Sequence, residues 1–256
     1  MPDATLRGRT SDRVPAAFAL RKLHALAGVV PLGVFLVGHL WAQSAAIDGP
    51  GALAGRMTLA GPVSQWLFSA GLLVPLAFHA GYGLLIVLRS RPNVDRYPLR
   101  HNWLFTGQRL TGVVALVFVL SHLWHVWIPV RSGDLAADQV YQRLAWDLST
   151  TAAGVPLLAL GYALGIVATC FHFSHGLWRF GVSFGLLATR RGQQIAGVAT
   201  SCVFLALLVG GLRTVVFHAT GDDPLPGATP ALEPEIEGEL GPACTDVARP
   251  PGRLGR

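Results

Sequence analysis

Charged side chains are scarce in this 256-residue chain: Asp, Glu, Lys and Arg make up 13% of it, and hydrophobic residues make up 52%. A soluble globular domain usually carries about 25% charged residues, and the mean hydropathy of this chain is positive. The composition therefore excludes a soluble fold for most of the chain. Only helices and closed barrels satisfy every backbone group in lipid, and the apolar runs described below have the length of helices. We predict an all-α integral membrane protein.

Cysteine is scarce as well. Cys170, Cys202 and Cys244 lie far apart and form no CxxC pair, which excludes a disulfide framework, a cysteine zinc site and an iron–sulfur site. Acidic residues are fewer than basic ones, so the formal net charge is +6. The basic residues flank apolar runs instead of lining one polar face, and this distribution argues against nucleic acid as a partner.

Long segments without charge alternate with short charged segments. No Asp, Glu, Lys or Arg occurs from Leu23 to Ile47 or from Leu148 to Trp178, and runs of such length are typical of membrane-spanning helices. Pro31 should kink the first helix, and the connections between helices are predicted to be loops. The sequence predicts five spanning helices, over residues 23–47, 62–88, 103–128, 151–178 and 193–217.

The two ends of the chain differ from the helical part. Residues 1–20 are polar and basic, whereas residues 219–256 contain seven prolines and seven acidic residues and are too polar to bury a core. We predict a basic N-terminal segment (1–20), a five-helix membrane domain (21–218) and a disordered acidic tail (219–256). Basic residues are concentrated in the first segment and in the second and fourth connections. The positive-inside rule therefore predicts a cytoplasmic N-terminus and a tail on the outside.

Four of the five predicted helices carry histidines in their interior. A helix rises about 1.5 Å per residue, so position along each helix gives depth: His39 and His122 fall in the outer half of the membrane, and His79 and His172 in the inner half. Each level holds two imidazoles from two different helices, which is the arrangement that haem iron needs on opposite faces of its macrocycle. Four-helix cores build cofactor sites in this way. The first four helices are therefore predicted to form a bundle that binds two haems.

Other interpretations of these histidines stay open at this point. A histidine inside a membrane can instead bond to a hydroxyl or carbonyl group of a neighbouring helix. Zinc needs three or four ligands at one point, whereas each level offers two. His125 and His175 follow His122 and His172 by three residues and lie on nearly the same helical face, so spacing does not choose within either pair.

Short motifs recur around these histidines: RKLHALAG (21–28), PLGVFL (31–36) and HL (39–40) in the first helix, PLAFHAGYG (75–83) in the second, NWLF (102–105), QRLTG (108–112) and SHLW (121–124) in the third, and FHFSHGLW (171–178) in the fourth. Together they resemble the membrane-anchor cytochrome b of succinate:quinone oxidoreductases, of the single-subunit, five-helix, dihaem type. The resemblance covers residues 18–217, and both tails lie outside it.

The resemblance implies that His39, His79, His122 and His172 are the axial ligands of two haems b. It also implies an iron–sulfur subunit near the inner haem, which docks a flavoprotein that oxidises succinate or reduces fumarate. The chain itself would not act on succinate; it would carry electrons to or from a quinone, with menaquinone expected rather than ubiquinone. Its place would be the bacterial cytoplasmic membrane.

Two further sets of residues are candidates for these sites. Haem propionates are anionic and need cations or donors in a low dielectric, and the cations at the inner helix ends are His24, Arg21, Arg109 and Arg179. Some dihaem members use an acidic residue near the outer haem for quinol chemistry, and the sequence has no unambiguous counterpart. By topology, the quinone-site candidates at the outer end are Asp48, His125 and Asp147.

Two other functions are compatible with the same residues. One is a cytochrome b anchor of another membrane dehydrogenase, such as a hydrogenase, formate dehydrogenase or nitrate reductase, since these also use haems held by two helix-borne histidines. The other is a transporter or scaffold without haem. The partner subunits distinguish the first from a succinate dehydrogenase anchor, and a b-type haem spectrum excludes the second.

Overall fold

The computed structural model describes residues 13–57, 62–90, 94 and 96–224. Most of the predicted basic N-terminal segment and most of the predicted acidic tail lie outside these residues, so the domain limits at residues 20 and 218 stay predictions. Over the described ranges the secondary structure is helical. One isolated antiparallel bridge joins Ala152 to Val155, and no strand of a sheet is formed in that part of the chain.

The long helices carry apolar side chains on their outer surface. Val34 is 71% exposed, Leu88 72% and Trp124 75%. Exposing many large apolar side chains is costly in water but not in lipid. The prediction of an all-α integral membrane protein with five spans is confirmed. The segments long and apolar enough to cross a membrane are Ala16–Asp48, Ala70–Arg89, Asn102–Ser132, Leu157–Ser183 and Arg190–Thr220.

The first span is interrupted at Val30, between α1 (Arg13–Val29) and α2 (Pro31–Gln43). Proline has no backbone N–H to donate and its ring crowds the preceding turn, so the interruption falls where the sequence predicts a kink. After α2 the chain tightens into a 3₁₀ turn, Ser44–Asp48. A short helix, α3 (Pro50–Met57), then occupies part of a connection that was predicted to be a loop.

The second and third spans differ in regularity. The second is one helix, α4 (Pro62–Arg89), with Pro75 inside it, and α4 packs against α1. The third runs through α5 (Arg100–His122), a π-helical turn (Leu123–Trp127) and α6 (Ile128–Ser132). A π-helical turn inserts one residue into a helix and is frequent at functional sites. Here it starts directly after His122 and contains His125.

The connection between the third and fourth spans contains a helix that the sequence analysis missed. This helix, α7 (Val140–Ser149), buries Leu144 and Leu148 on one face. The helix also contains the charged residues Arg143 and Asp147, so its sequence does not form an apolar run. The fourth span, α8 (Leu157–Ser183), begins at Leu157 and not at residue 151. Gly154 has a φ of 78°, which lies outside the helical region. Val155 precedes Pro156, and a residue before a proline disfavours the helical conformation. The helix α8 therefore begins only after Pro156.

The fifth span is α9 (Arg190–Thr220), which extends beyond the predicted 193–217 at both ends. The chain divides into two compact units. Of the described residues, the first unit contains those within 13–38, 62–116 and Ala168–Ala206, and the second those within 39–57, Val117–Val167 and 207–224. His79 and His172 both belong to the first unit, and His39 and His122 to the second, so each histidine pair that the sequence predicts lies within one unit.

Candidate functional site

The first unit brings His79 of α4 next to His172 of α8. Their ring centres lie 6.1 Å apart and their planes are nearly perpendicular, at 85°. Nδ1 of His79 is 2.9 Å from the backbone oxygen of His24, and Nδ1 of His172 is 3.0 Å from the backbone oxygen of Gln108. A carbonyl oxygen only accepts, so each Nδ1 carries the hydrogen. In the neutral ring each Nε2 then keeps its lone pair, which is the state that binds a metal.

Two glycines make room for these rings. A Cβ atom on Gly28 would lie 2.4 Å from Cε1 of His79, and a Cβ atom on Gly112 would lie 2.8 Å from Cε1 of His172. Both distances are shorter than real Cβ contacts, so any larger residue would displace the ring. The orientation of both histidines therefore depends on a glycine in the neighbouring helix.

Gln108 of α5 holds α8 at His172 from a second direction. Its side-chain Nε2 donates to the backbone oxygen of His172 at 3.0 Å, while its own backbone oxygen accepts from the His172 ring. Its Oε1 lies 2.8 Å from Nδ1 of His175, and the His175 ring stacks on Phe171 and Trp178. Of the two histidines that spacing could not separate, His172 is the one that the structure sets against His79.

The four cations proposed near the inner haem lie in different surroundings. His24 stacks on His79 with ring centres 4.1 Å apart. The guanidinium groups of Arg109 and Arg179 lie 3.7 and 5.1 Å from the ring centre of Phe105. Nη1 of Arg109 is buried and has no hydrogen-bond partner among the described residues, whereas Arg21 is exposed. A buried charged donor without a partner is costly, so this one is suited to an anion.

The second unit brings His39 of α2 next to His122 at the end of α5. Their ring centres lie 5.9 Å apart at an interplanar angle of 73°. Phe118, one turn before His122, flanks its ring at 5.9 Å. A Cβ atom on Gly165 of α8 would lie 2.1 Å from Cγ of Phe118. The glycine therefore lets α8 approach α5 closely beside this histidine pair.

His125, in the π-helical turn, has different partners from His122. Its Nδ1 is 2.9 Å from the Tyr162 hydroxyl oxygen and its Nε2 is 2.8 Å from Oδ2 of Asp147. Both ring nitrogens are therefore engaged, and no lone pair is left for a metal. Nδ1 of His122 lies 3.3 Å from the same Tyr162 hydroxyl. Of this second ambiguous pair, His122 is the ring set against His39.

His125 and Asp147 also line a pocket of about 310 Å³. The Asp147 side chain is 17% exposed and accepts a hydrogen bond from Arg143, one turn earlier on α7. A volume of this order and a few polar groups among apolar walls are typical of small-molecule sites. The rest of the lining is Thr150, Thr151, Ala152, Leu157 and Leu158.

Asp48, the third candidate for the quinone site, has another partner. It ends the 3₁₀ turn that follows α2, and its Oδ2 is 3.8 Å from Nη2 of Arg56. Arg56 also donates to the backbone oxygen of Trp41 at 3.2 Å. Of the three candidates, the structure thus brings His125 and Asp147 together.

The sequence analysis gave no role to Gln108 or Tyr162, although both contact the candidate histidines. Polar side chains inside membrane spans are costly and therefore informative. The same cost applies to Gln and Tyr inside a span, so their place in the sequence marks Gln108 and Tyr162 as candidates, though it does not identify their partners.

Comparison with known proteins gives one clear relative. The chain is similar to the succinate dehydrogenase cytochrome b558 subunit of Bacillus subtilis (strain 168), with 36% identity over 200 residues, which are 77% of this chain and 95% of the relative. No family model and no solved structure matches the chain. The aligned length covers nearly the whole relative. The chain belongs to the family of succinate dehydrogenase cytochrome b membrane-anchor subunits.

Proposed function

We propose that this subunit binds two haems b, one between His79 and His172 and one between His39 and His122, and carries electrons between an iron–sulfur subunit and a membrane quinone. The observation that carries the proposal is the separation of the ring centres, 6.1 Å in one pair and 5.9 Å in the other. Two imidazoles that held one iron between them, each through a nitrogen about 2 Å away, would have ring centres about 6 Å apart. Both pairs have this spacing.

The donor atoms of the first unit also fit a haem. The hydrogen bonds from Nδ1 of His79 and His172 to backbone oxygens leave each Nε2 free to bind and raise its basicity. The unpartnered Nη1 of Arg109 is suited to a propionate. Arg179, which lies at the same Phe105 ring, His24 and the exposed Arg21 are the other candidates. When bound, haem supplies reversible one-electron chemistry. The protein supplies the ligands, the anion site and a low dielectric.

The pocket beside His125 and Asp147 is where we place the quinone ring. Reduction of a quinone to a quinol takes two electrons and two protons, and each carbonyl oxygen gains one proton. The Asp147 carboxylate accepts from Nε2 of His125 at 2.8 Å and is 17% exposed, so it can take up a proton from water and pass it to an oxygen bound in the pocket, once for each of the two protons. Leu157 and Leu158 offer apolar contacts to the ring. Asp48, paired with Arg56, is the third candidate, and menaquinone is the quinone that we expect.

The partners and the orientation are parts of the same proposal. The B. subtilis relative is a subunit of a succinate dehydrogenase by name, which supports assembly of this chain with an iron–sulfur subunit and a flavoprotein. The basic helix ends Arg89 and Arg190 share the first unit with His79 and His172. By the positive-inside rule they support a cytoplasmic position for that haem, a cytoplasmic N-terminus and an outer C-terminus.

Purification of the complex from membranes tests the proposed function. We expect a reduced-minus-oxidised spectrum of b type, a haem content of two per chain, and co-purification of an iron–sulfur subunit and a flavin-bearing subunit. Absence of b-type absorption would contradict both haem assignments. A content of one haem per chain would show that one of the two histidine pairs does not bind haem. Co-purification of a different dehydrogenase would contradict the proposed electron donor.

Replacement of Gly28 by alanine should loosen the haem of the first unit. The added Cβ would lie 2.4 Å from Cε1 of His79, and overpacking of this kind costs about 1–3 kcal/mol. The His79 ring cannot simply move aside, because its Nδ1 is hydrogen-bonded to the backbone oxygen of His24. We therefore expect Gly28→Ala to lose one of its two haems on detergent washing more readily than the unaltered chain does. Gly71→Ala is the matched control, since nothing lies within 4 Å of a Cβ at that position of α4. Equal retention of haem by the two variants would contradict the role assigned to Gly28.

A further inference from the structure

Four side chains of the second unit form one hydrogen-bonded chain. Oδ2 of Asp147 is 2.8 Å from Nε2 of His125, and Nδ1 of His125 is 2.9 Å from the Tyr162 hydroxyl oxygen. The same hydroxyl is 3.3 Å from Nδ1 of His122. The chain thus begins at the carboxylate that lines the pocket and ends at the imidazole that faces His39.

The hydrogens of this chain can be assigned from the donors and acceptors alone. A carboxylate only accepts, so Nε2 of His125 carries a hydrogen, and in the neutral ring Nδ1 of His125 is then an acceptor. The Tyr162 hydroxyl has one hydrogen, which it donates to Nδ1 of His125. Its oxygen keeps lone pairs that can accept, and Nδ1 of His122 is the donor that faces them. Every bond therefore points from His122 towards Asp147.

This direction is the one that iron ligation by His122 requires. A neutral imidazole that binds a metal through Nε2 carries its hydrogen on Nδ1, and a partner that accepts this hydrogen fixes the ring and raises its basicity. In the first unit, backbone oxygens are the acceptors for both histidines. In the second unit, the acceptor for His122 is a side chain, which in turn reaches the pocket.

The local backbone explains how one hydroxyl reaches both rings. His122 ends α5, and His125 lies in the π-helical turn that follows directly. Tyr162 projects from α8, and its ring meets both imidazole rings edge-on, with centres 5.7 Å from His122 and 6.1 Å from His125. Its side chain is largely buried, since the residue is 8% exposed. A phenylalanine would fill the same space and lose only the hydroxyl.

We propose that Tyr162 is a positioning residue that links the iron ligand His122 to the quinone-site pair His125 and Asp147. This inference rests on the proposed function, because it takes His122 as an axial ligand. The hydroxyl makes His122 a stronger electron donor and so favours the oxidised iron of that haem. It also fixes His125 in the tautomer that presents its Nε2 hydrogen to Asp147.

A redox titration of the complete complex, followed at the b-type absorption, tests the role of Tyr162. In Tyr162→Phe we expect two bound haems and a higher midpoint potential for one of them, because His122 has lost its acceptor. A loss of this kind should shift the ratio of reduced to oxidised haem by about tenfold, which is about 59 mV for one electron. The haem that shifts should be the one missing from His39→Ala.

Tyr141→Phe is the matched control, since Tyr141 belongs to the same unit but its ring contacts His218 at 5.5 Å. Both potentials should be unchanged there. Asp147→Asn should shift the same potential in the same direction by less, because the effect passes through His125 and Tyr162. If Tyr162→Phe loses the haem altogether, its midpoint potential cannot be measured. The midpoint potential of the same haem in Asp147→Asn then tests the hydrogen-bonded link.

Two outcomes separate the failure of this inference from the failure of the proposed function. If Tyr162→Phe binds two haems with unchanged potentials, the role of Tyr162 is wrong and the proposed function stands. If Asp147→Asn also leaves the potentials unchanged when Tyr162→Phe has lost its haem, the hydrogen-bonded link is wrong. Absence of b-type haem in the unaltered complex removes the proposed function itself.

Discussion

Replacement of His172 by alanine should lower the haem content of the purified complex from two per chain to one. His172 faces His79 with ring centres 6.1 Å apart, and its Nδ1 is committed to the backbone oxygen of Gln108. Removal of the imidazole takes away one of the two proposed ligands of the inner haem. The pyridine haemochrome content, measured per mole of chain, reports the loss directly.

His175→Ala is the matched control for this loss. His175 lies one turn further along α8, but its Nδ1 is bonded to Oε1 of Gln108 at 2.8 Å and its ring stacks on Trp178. We therefore expect His175→Ala to retain both haems. Loss of haem from His175→Ala together with retention by His172→Ala would contradict the ligand assignment in the first unit. The same comparison applies to His122→Ala and His125→Ala in the second unit.

Replacement of Asp147 by asparagine should abolish most of the electron transfer from succinate to quinone. The amide keeps the size of the side chain and its oxygen can still accept from Nε2 of His125, as the carboxylate does at 2.8 Å, but it cannot take up and release a proton. Removal of a general acid or base commonly lowers a rate by about 10²–10⁴-fold. Haem content should be unchanged, because neither Asp147 nor His125 is a proposed ligand.

Succinate oxidation with an artificial acceptor that takes electrons from the soluble subunits should be unchanged in Asp147→Asn. The matched control is Asp138→Asn, in the exposed 3₁₀ turn Ala137–Gln139, where both activities should be those of the unaltered complex. Full quinone reduction by Asp147→Asn would show that the pocket beside His125 is not the quinone site. Asp48 would then be the remaining candidate.

The spans could be predicted because their signal is local. An uncharged run such as 23–47 has few alternatives in a chain of this composition, and Pro31 must interrupt a helix wherever it falls inside one. The helix α7 and the π-helical turn could not be predicted in this way. The first is a mixture of charged and apolar residues that resembles a loop, and the second is a change of hydrogen-bond register that no residue type announces.

The pairing of the candidate histidines could be predicted from the sequence, but their hydrogen-bond partners could not. Depth along each helix placed His79 with His172 and His39 with His122, and these are the pairs that the structure sets together. Hydrogen bonds depend on how each helix is rotated about its axis, and a sequence with weak amphipathic character does not specify that rotation. Gln108 and Tyr162 therefore became visible as partners of the histidines only in the structure. Asp147 had been a candidate by topology alone, and its contact with His125 required the helix α7.

The pairing of the histidines is the central claim, and double substitutions test it most directly. If His39 and His122 hold one haem, the double variant His39→Ala/His122→Ala should lose no more haem than either single variant and should keep one per chain. The double variant His39→Ala/His79→Ala takes one ligand from each proposed pair and should keep none. We expect this contrast in haem content. The reverse result, with the first double variant lacking both haems and the second keeping one, would contradict it.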